Sequence, residues 1–185
     1  MALMNETDEA HIFSMMKDPR LRDKGFLQLM DAYKEPIYSH IRRLVVSHED
    51  AEDILQETFI NVYRFADSFK GESRVFTWLY RIATNECTKH FRRNKKWINN
   101  AVKITGEMAG EVSGNDSDNS DLILFKFQSA ILRLPEKQRI VFNLRYYDEL
   151  SYEDIGQILN SSVNTLKTNY HYASEKIKQY LIEQA

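Results

Sequence analysis

The strongest constraint on the fold is a repeated helical period with almost nothing to interrupt it. Leu55, Phe59, Val62 and Ala66 recur at steps of four, three and four, which places them on one face of a helix. Comparable patterns run through much of the chain. Its 185 residues hold only six glycines and three prolines, and no stretch shows the strict alternation of a half-buried strand. The chain therefore reads as all-α: two small helical domains, 1–96 and 121–185, with 97–120 between them. The stretch 97–120 holds three of the six glycines and many Ser, Asn and Asp, the composition of a flexible linker. Two domains on such a tether are expected to tumble independently, with proteolysis cutting first between them.

Individual helices follow from start and stop signals. Residues 22–46 read as two helices, with Asp23 capping the first and Pro36 opening the second. Residues 49–65 form a third helix, and 66–73 a loop in which Gly71 permits a turn. A fourth helix spans roughly 74–96, capped by Asp67 or Ser73. In the second domain Asp121 caps one helix and Pro135 opens the next. Ser151 and Asp154 make a capping box, and the last helix starts near Ser162 with Val163, Leu166, Tyr170, Ala173 and Ile177 inward.

Charge is segregated within the first domain. Residues 48–58, HEDAEDILQET, carry five acids and no Lys or Arg, whereas 77–96, TWLYRIATNECTKHFRRNKK, set six Lys/Arg against one Glu. The acids suit the positive end of a helix dipole. In the basic helix Phe76, Tyr80, Ala83 and Cys87 form an apolar face. Thr77, Arg81, Thr84, Thr88 and Arg92 form an opposite, polar and basic one. A formal net charge of −2 argues against nucleic-acid binding by the whole surface, but not by a local patch.

Residues 151–176 have helix-turn-helix form, with a tight polar turn at Asn160-Ser161-Ser162 and the small Gly156 where it would let the two helices approach. A recognition helix of this kind enters the major groove with its N-terminal residues. Asn164, Lys167, Thr168 and His171 point off its apolar face as candidate base readers. Any antiparallel helix pair can share this pattern.

Taken together, DAEDILQETFINVYR, DSFKGESRVFTWLYRIATNECTKHFRR and LPEKQRIVFNLRYYDELSYEDIGQIL resemble the extracytoplasmic-function (ECF) group of bacterial sigma factors, over about 22–95 and 121–182. The resemblance implies a dissociable subunit of RNA polymerase. Its first domain would bind core polymerase and open the minus-ten element, and its second would read the minus-thirty-five element. Asp53, Gln56 and Glu57, with Asn61 one turn on, match the family's polymerase-docking pattern. Phe69 and Asn85 match positions that hold a flipped-out base. Lys70, Arg81, Lys89, Arg92 and Arg93 would serve phosphates nearby. Trp78 and Tyr80 are read as core or wedge residues. Base flipping costs a few kcal/mol, and stacking on an aromatic ring returns about 1–3 kcal/mol.

The second domain would present Asn164, Thr165, Lys167, Thr168, Asn169, His171 and Tyr172 to the minus-thirty-five element. Here the chain departs from the family. Lys167, Thr168, Asn169 and Tyr172 stand where a common ECF pattern carries additional arginines, and Asn160-Ser161 replace a frequent Gly-Ile. An A/T-leaning preference is expected, with Asn169 pairing to adenine. The resemblance further implies an anti-sigma partner.

Other chemistry finds no footing. His11, His40, His48, His90 and His171 lack paired metal-ligand spacing, and Cys87-x-x-His90 is one isolated pair. There is no phosphate-binding glycine loop and no nucleophile elbow. Neither catalytic residues, a metal nor a cofactor is expected, and the chain is read as not an enzyme. The N-terminus has no secretory-signal pattern, no run reaches a membrane span, and a single cysteine fits a reducing cytoplasm. Two alternatives remain at this level: a stand-alone helix-turn-helix regulator whose first domain senses a ligand or dimerises, and a helical scaffold with no DNA role.

Overall fold

A computed structural model describes residues 6–71, 73–94 and 119–184. The order is α1 (Glu6–Lys17), α2 (Arg22–Val45), α3 (His48–Phe65), a 3-10 turn (Ala66–Ser68), α4 (Val75–Arg93), α5 (Asn119–Leu132), α6 (Glu136–Tyr146), α7 (Tyr152–Leu159) and α8 (Val163–Glu183). There is no strand among the described residues, and no helix among them is long and apolar enough to cross a membrane. The expected linker lies outside the described residues, apart from Asn119 and Ser120, which begin α5.

α2 is one helix, not two. Pro36 lies inside it, although an interior proline removes a backbone bond and costs about 3 kcal/mol. Burial outweighs that cost: Leu29, Tyr33, Ile37, His40, Ile41 and Leu44 form a continuous buried row on both sides of the proline. Asp23 is not its cap. The cap position is Leu21, without a side-chain hydrogen bond, and the Asp23 carboxylate accepts from the Tyr63 hydroxyl at 2.8 Å. Nor do Asp67 or Ser73 cap α4, whose cap position is Arg74 without a side-chain bond; Asp67 instead pairs with Arg22 at 2.9 Å. α5 begins two residues before the expected Asp121 cap.

α1 has no counterpart in the sequence reading. Its Ile12, Phe13, Met15 and Met16 are buried, and Gly25 of α2 admits it. A Cβ at Gly25 would stand 2.9 Å from Met15 Cβ and 3.0 Å from the Ile12 carbonyl oxygen.

The two halves are packed together, contrary to the expectation of independent tumbling. The buried core of α1 to α4 runs on without a break into Leu132, Ile140, Val141, Leu144, Ile155, Ile158 and Leu166. A smaller cluster, including Ala130, Ile131, Phe142, Ala173 and Ile177, fills the space between α5, α6 and α8. α7 lies across α4, and α6 against α2.

Candidate functional site

The acidic segment is a helix start held by a serine. Ser47 Oγ accepts from the Asp50 N–H at 3.3 Å. Ala51, Ile54, Leu55, Thr58, Phe59 and Val62 turn inward, leaving Glu52, Asp53, Gln56, Glu57 and Ile60 outside. Asp53, Gln56 and Ile60 line a groove against Phe26, Met30 and Lys34 of α2. Glu57 is exposed outside that groove. Asn61 faces the other way: its amide donates to Glu86 Oε1 of α4 at 2.9 Å. The groove therefore unites Asp53 and Gln56, but not Asn61. Ile60 and Tyr63, which line the groove, are exposed apolar side chains, as are Leu27 and Phe65; the Tyr63 ring stands edge-on to Phe26 at 5.1 Å.

On α4 the exposed residues Arg81, Asn85, Lys89 and Arg92, with Arg93 beside them, run along one side of the helix. Lys89 is held by Glu86 at 2.6 Å. Phe76, Tyr80, Ala83 and Cys87 are buried as the pattern predicts. Burial pushes the Tyr80 hydroxyl and the Cys87 thiol well above their ordinary pKa values. Two residues of the supposed polar face are corrected. Thr77 and Thr84 are buried, at 0% and 2% exposure, because α4 is enclosed on that side too; Thr84 meets α2, where its Oγ1 lies 3.0 Å from His40 Nε2.

The loop before α4 carries Phe69, half-buried. Its ring centroid is 4.4 Å from Phe13 and 5.1 Å from Trp78. Phe69 is thus part of an aromatic trio whose third wall comes from α1, a contribution that local pattern could not announce. A cavity beside it is lined by Phe13, Lys17, Lys70, Ser73 and Arg74, with Asp154 and Gln157 of α7 reaching its rim. Gly71, at φ +76°, makes the turn that shapes this loop.

The helix-turn-helix forms as its signals predict. Ser151 Oγ accepts from the Asp154 N–H at 3.0 Å, and Ser162 Oγ from the Thr165 N–H at 3.2 Å. Asn160 takes the left-handed conformation, φ 48° and ψ 54°. Gly156 is required because a Cβ there would stand 2.9 Å from the Ser161 carbonyl oxygen.

On α8 Asn164, Lys167, Thr168, His171 and Tyr172 are exposed. Thr165 is exposed too, but its hydroxyl is 2.8 Å from the capping Ser162 Oγ. Asn169 is only half-exposed, and its amide donates to the Thr165 carbonyl at 2.9 Å. The Lys167 ammonium stands 5.8 Å from the Tyr152 ring centroid. Among the described residues no group of three His, Cys, Asp or Glu could hold a metal ion.

Comparison with known proteins covers both halves. Residues 29–97 match the Sigma-70 region 2 family and 124–177 the Sigma-70, region 4 family. In Bacillus subtilis (strain 168) the ECF RNA polymerase sigma factor SigW is 37% identical over 166 residues, covering 85% of this chain and 89% of its own. The ECF RNA polymerase sigma-E factor of Escherichia coli (strain K12) is 34% identical over 163 residues, covering 83% and 85%. The fold is shared with CnrH, solved in complex with the cytosolic domain of CnrY (TM-score 0.70, 17% identity, 96% of this chain and 99% of that one). It is shared also with the sigma factor RpoE, solved with the anti-sigma factor NepR from Bartonella quintana (TM-score 0.64, 23% identity, 85% and 97%). Identity of this level across nearly the full length of both chains, with both sigma regions present and in order, means that the chain belongs to the ECF group of RNA polymerase sigma factors, the transcription initiation factors that direct core polymerase to promoters.

Proposed function

We propose that the work of this initiation factor is divided between the two surfaces of its first half and the recognition helix of its second. Asp53, Gln56 and Glu57 of α3 face core polymerase. The neighbouring apolar residues supply area, and the carboxylates supply orientation. Asn61 serves this surface only indirectly, by fixing α3 to Glu86 of α4. The other surface faces promoter DNA. Phe69 and Asn85 receive a base of the minus-ten element, while Lys70, Arg81, Lys89, Arg92 and Arg93 hold phosphates. On α8 Asn164, Lys167, Thr168, His171 and Tyr172 face the minus-thirty-five element, with Asn169 and Thr165 at its margin. Observation of a continuous exposed basic stripe on α4, beside an aromatic trio, carries this reading.

Sigma factors are generally not enzymes, and we assign this chain no reaction of its own; the chemistry is the polymerase's. It works in the cytoplasm, where core polymerase and promoters are. We assign it an anti-sigma partner, since RpoE, which shares its fold, was solved in complex with the anti-sigma factor NepR. Run-off transcription with purified core polymerase is the direct test: initiation dependent on this chain supports the reading. The α3 assignment has its own test, because Gln56→Ala with Glu57→Lys alters exposed side chains. That double variant should stay folded and lose co-elution with core polymerase. Retained co-elution would move the interface elsewhere.

A further inference from the structure

One acid stands in the basic stretch of α4. Between residues 77 and 96 six Lys/Arg face Glu86 alone. A carboxylate beside a face assigned to phosphates carries the wrong sign for that task. Glu86 is nonetheless built into the fold. Its side chain is only 12% exposed, and a single oxygen, Oε1, receives two donors. The Asn61 amide of α3 donates to it at 2.9 Å, and the Lys89 ammonium at 2.6 Å.

The three side chains form a relay from α3 to the outer face of α4. Asn61 is half-buried and fixes the carboxylate from the side of the neighbouring helix. Lys89, 53% exposed, is the outer end. Exposed ion pairs are weak largely because two long side chains must be ordered to form them. Here the acid is already enclosed and anchored, so only Lys89 gives up its freedom. The ammonium spends one of its three donors on Glu86 and keeps two for another acceptor.

The place where Lys89 is held matters. Asn85 and Lys89 are both exposed and four residues apart. On a helix this sets their Cβ atoms about 5–6 Å from each other, comparable to the step from a base to its own phosphate. A free lysine head sweeps a wide volume and finds a phosphate on any strand. A pinned one meets a phosphate only where the strand puts it.

We propose that Glu86 is a positioning residue for promoter recognition: anchored to α3 by Asn61, it fixes the Lys89 ammonium at one point on α4, where it meets the phosphate beside a base held at Asn85. The inference rests on the assignment of α4 to minus-ten DNA. Lys89 touches no base edge and still adds to discrimination, because its phosphate contact is made on the correctly seated strand and lost on others. Glu86→Gln keeps the side-chain length and an acceptor for Asn61, but removes the charge that holds Lys89. The released lysine then serves any strand.

The experiment uses the full-length chain bound to core polymerase and two fluorescein-labelled single strands, one of minus-ten sequence and one scrambled, titrated over a range of salt. Each phosphate gripped on a single strand adds about 0.7 to the salt slope, or about fivefold in affinity at about 0.1 M salt. Glu86→Gln should steepen the scrambled-strand slope by about 0.7 and lower discrimination about fivefold. Lys89→Ala should flatten the minus-ten slope by about 0.7 in the wild type and spare the scrambled one. Added to Glu86→Gln, it should cancel the gain on the scrambled strand. Asn61→Ala keeps every charge and removes the anchor, so it should lower discrimination in the same direction; it decides the matter should Glu86→Gln lose helical content. Equal gains on both strands in Glu86→Gln, a gain that survives Lys89→Ala, or unchanged discrimination in Asn61→Ala overturns the positioning role. If Arg92→Ala with Arg93→Ala leaves both slopes unchanged, the assignment of α4 to DNA falls instead.

Discussion

At the scale of single residues, burial and exposure separate structural side chains on one helix from those proposed to meet DNA. Cys87 has no exposure and Tyr80 has 3%; Tyr33, on α2, has 1% and donates to Glu9. Burial raises the pKa of all three above the ordinary values, 9.0 for the thiol and 10.0 for the phenols. Above those ordinary values the unfolded chain releases protons that the folded chain keeps. Stability is thus fully present below about pH 9 and falls as pH rises further, by up to about 1.4 kcal/mol per pH unit for each group. Urea midpoints at pH 8 and pH 10.5 should show the loss, and Cys87→Ala should reduce its slope. Asn85, exposed on the same helix, should behave differently. Asn85→Ala should leave stability within about 0.5 kcal/mol and abolish one base preference in the minus-ten element. Permanganate footprinting on a promoter panel checks this, and an unchanged preference would remove Asn85 from the reading pocket.

At the scale of elements, local signals and packing agree in the second half and compete in the first. The helix-turn-helix depends on one backbone approach. Gly156→Ala would place a Cβ 2.9 Å from the Ser161 carbonyl oxygen, which the turn's own hydrogen bond, Ser161 N–H to the Gly156 carbonyl at 3.1 Å, prevents from moving away. A loss of about 1–3 kcal/mol is expected, together with weaker minus-thirty-five binding; both are measurable by urea unfolding and by binding of duplex DNA with core polymerase present. In α2 the competition goes to packing. The proline signal at Pro36 is real as local chemistry, and a helix break there would be cheap in isolation. Breaking the helix would also break the buried row from Leu29 to Leu44, and each large side chain lost from burial costs about 1.5–3 kcal/mol.

At the scale of the whole molecule, docking of the halves changes what proteolysis should report. Cleavage between residues 97 and 120 is expected from composition. In a molecule whose core runs through both halves, a single cut there should not release them. The nicked wild type should run as one species on a native sizing column and as two in urea. Asp148→Asn, which removes the charge that faces His40 and Arg43 of α2, should lower the urea concentration at which the nicked halves part. Nicked wild type that separates natively would show that the shared core is too weak to hold the halves together.

The sequence alone determined the helices after α2 and most of their inward faces, because a 3.6-residue period, a capping serine and a left-handed asparagine act within a few residues of chain. It also laid out the basic stripe on α4 and the acid-rich start of α3, since charge spacing along a helix translates directly into a face. The tertiary structure decided the rest. Local pattern left α1 without a signal, because its docking depends on the missing side chain of Gly25 in another helix. Thr77 and Thr84 read as an open polar face and became interior. Asn61 was placed by sequence only on the acid-rich helix, and the fold joins its amide to Glu86 of α4. His40, unremarkable in sequence, meets Thr84 and Asp148, which lie 44 and 108 residues away. No local period can encode which distant polar side chains will meet; that is fixed only when two apolar surfaces close and each enclosed polar group must find a partner.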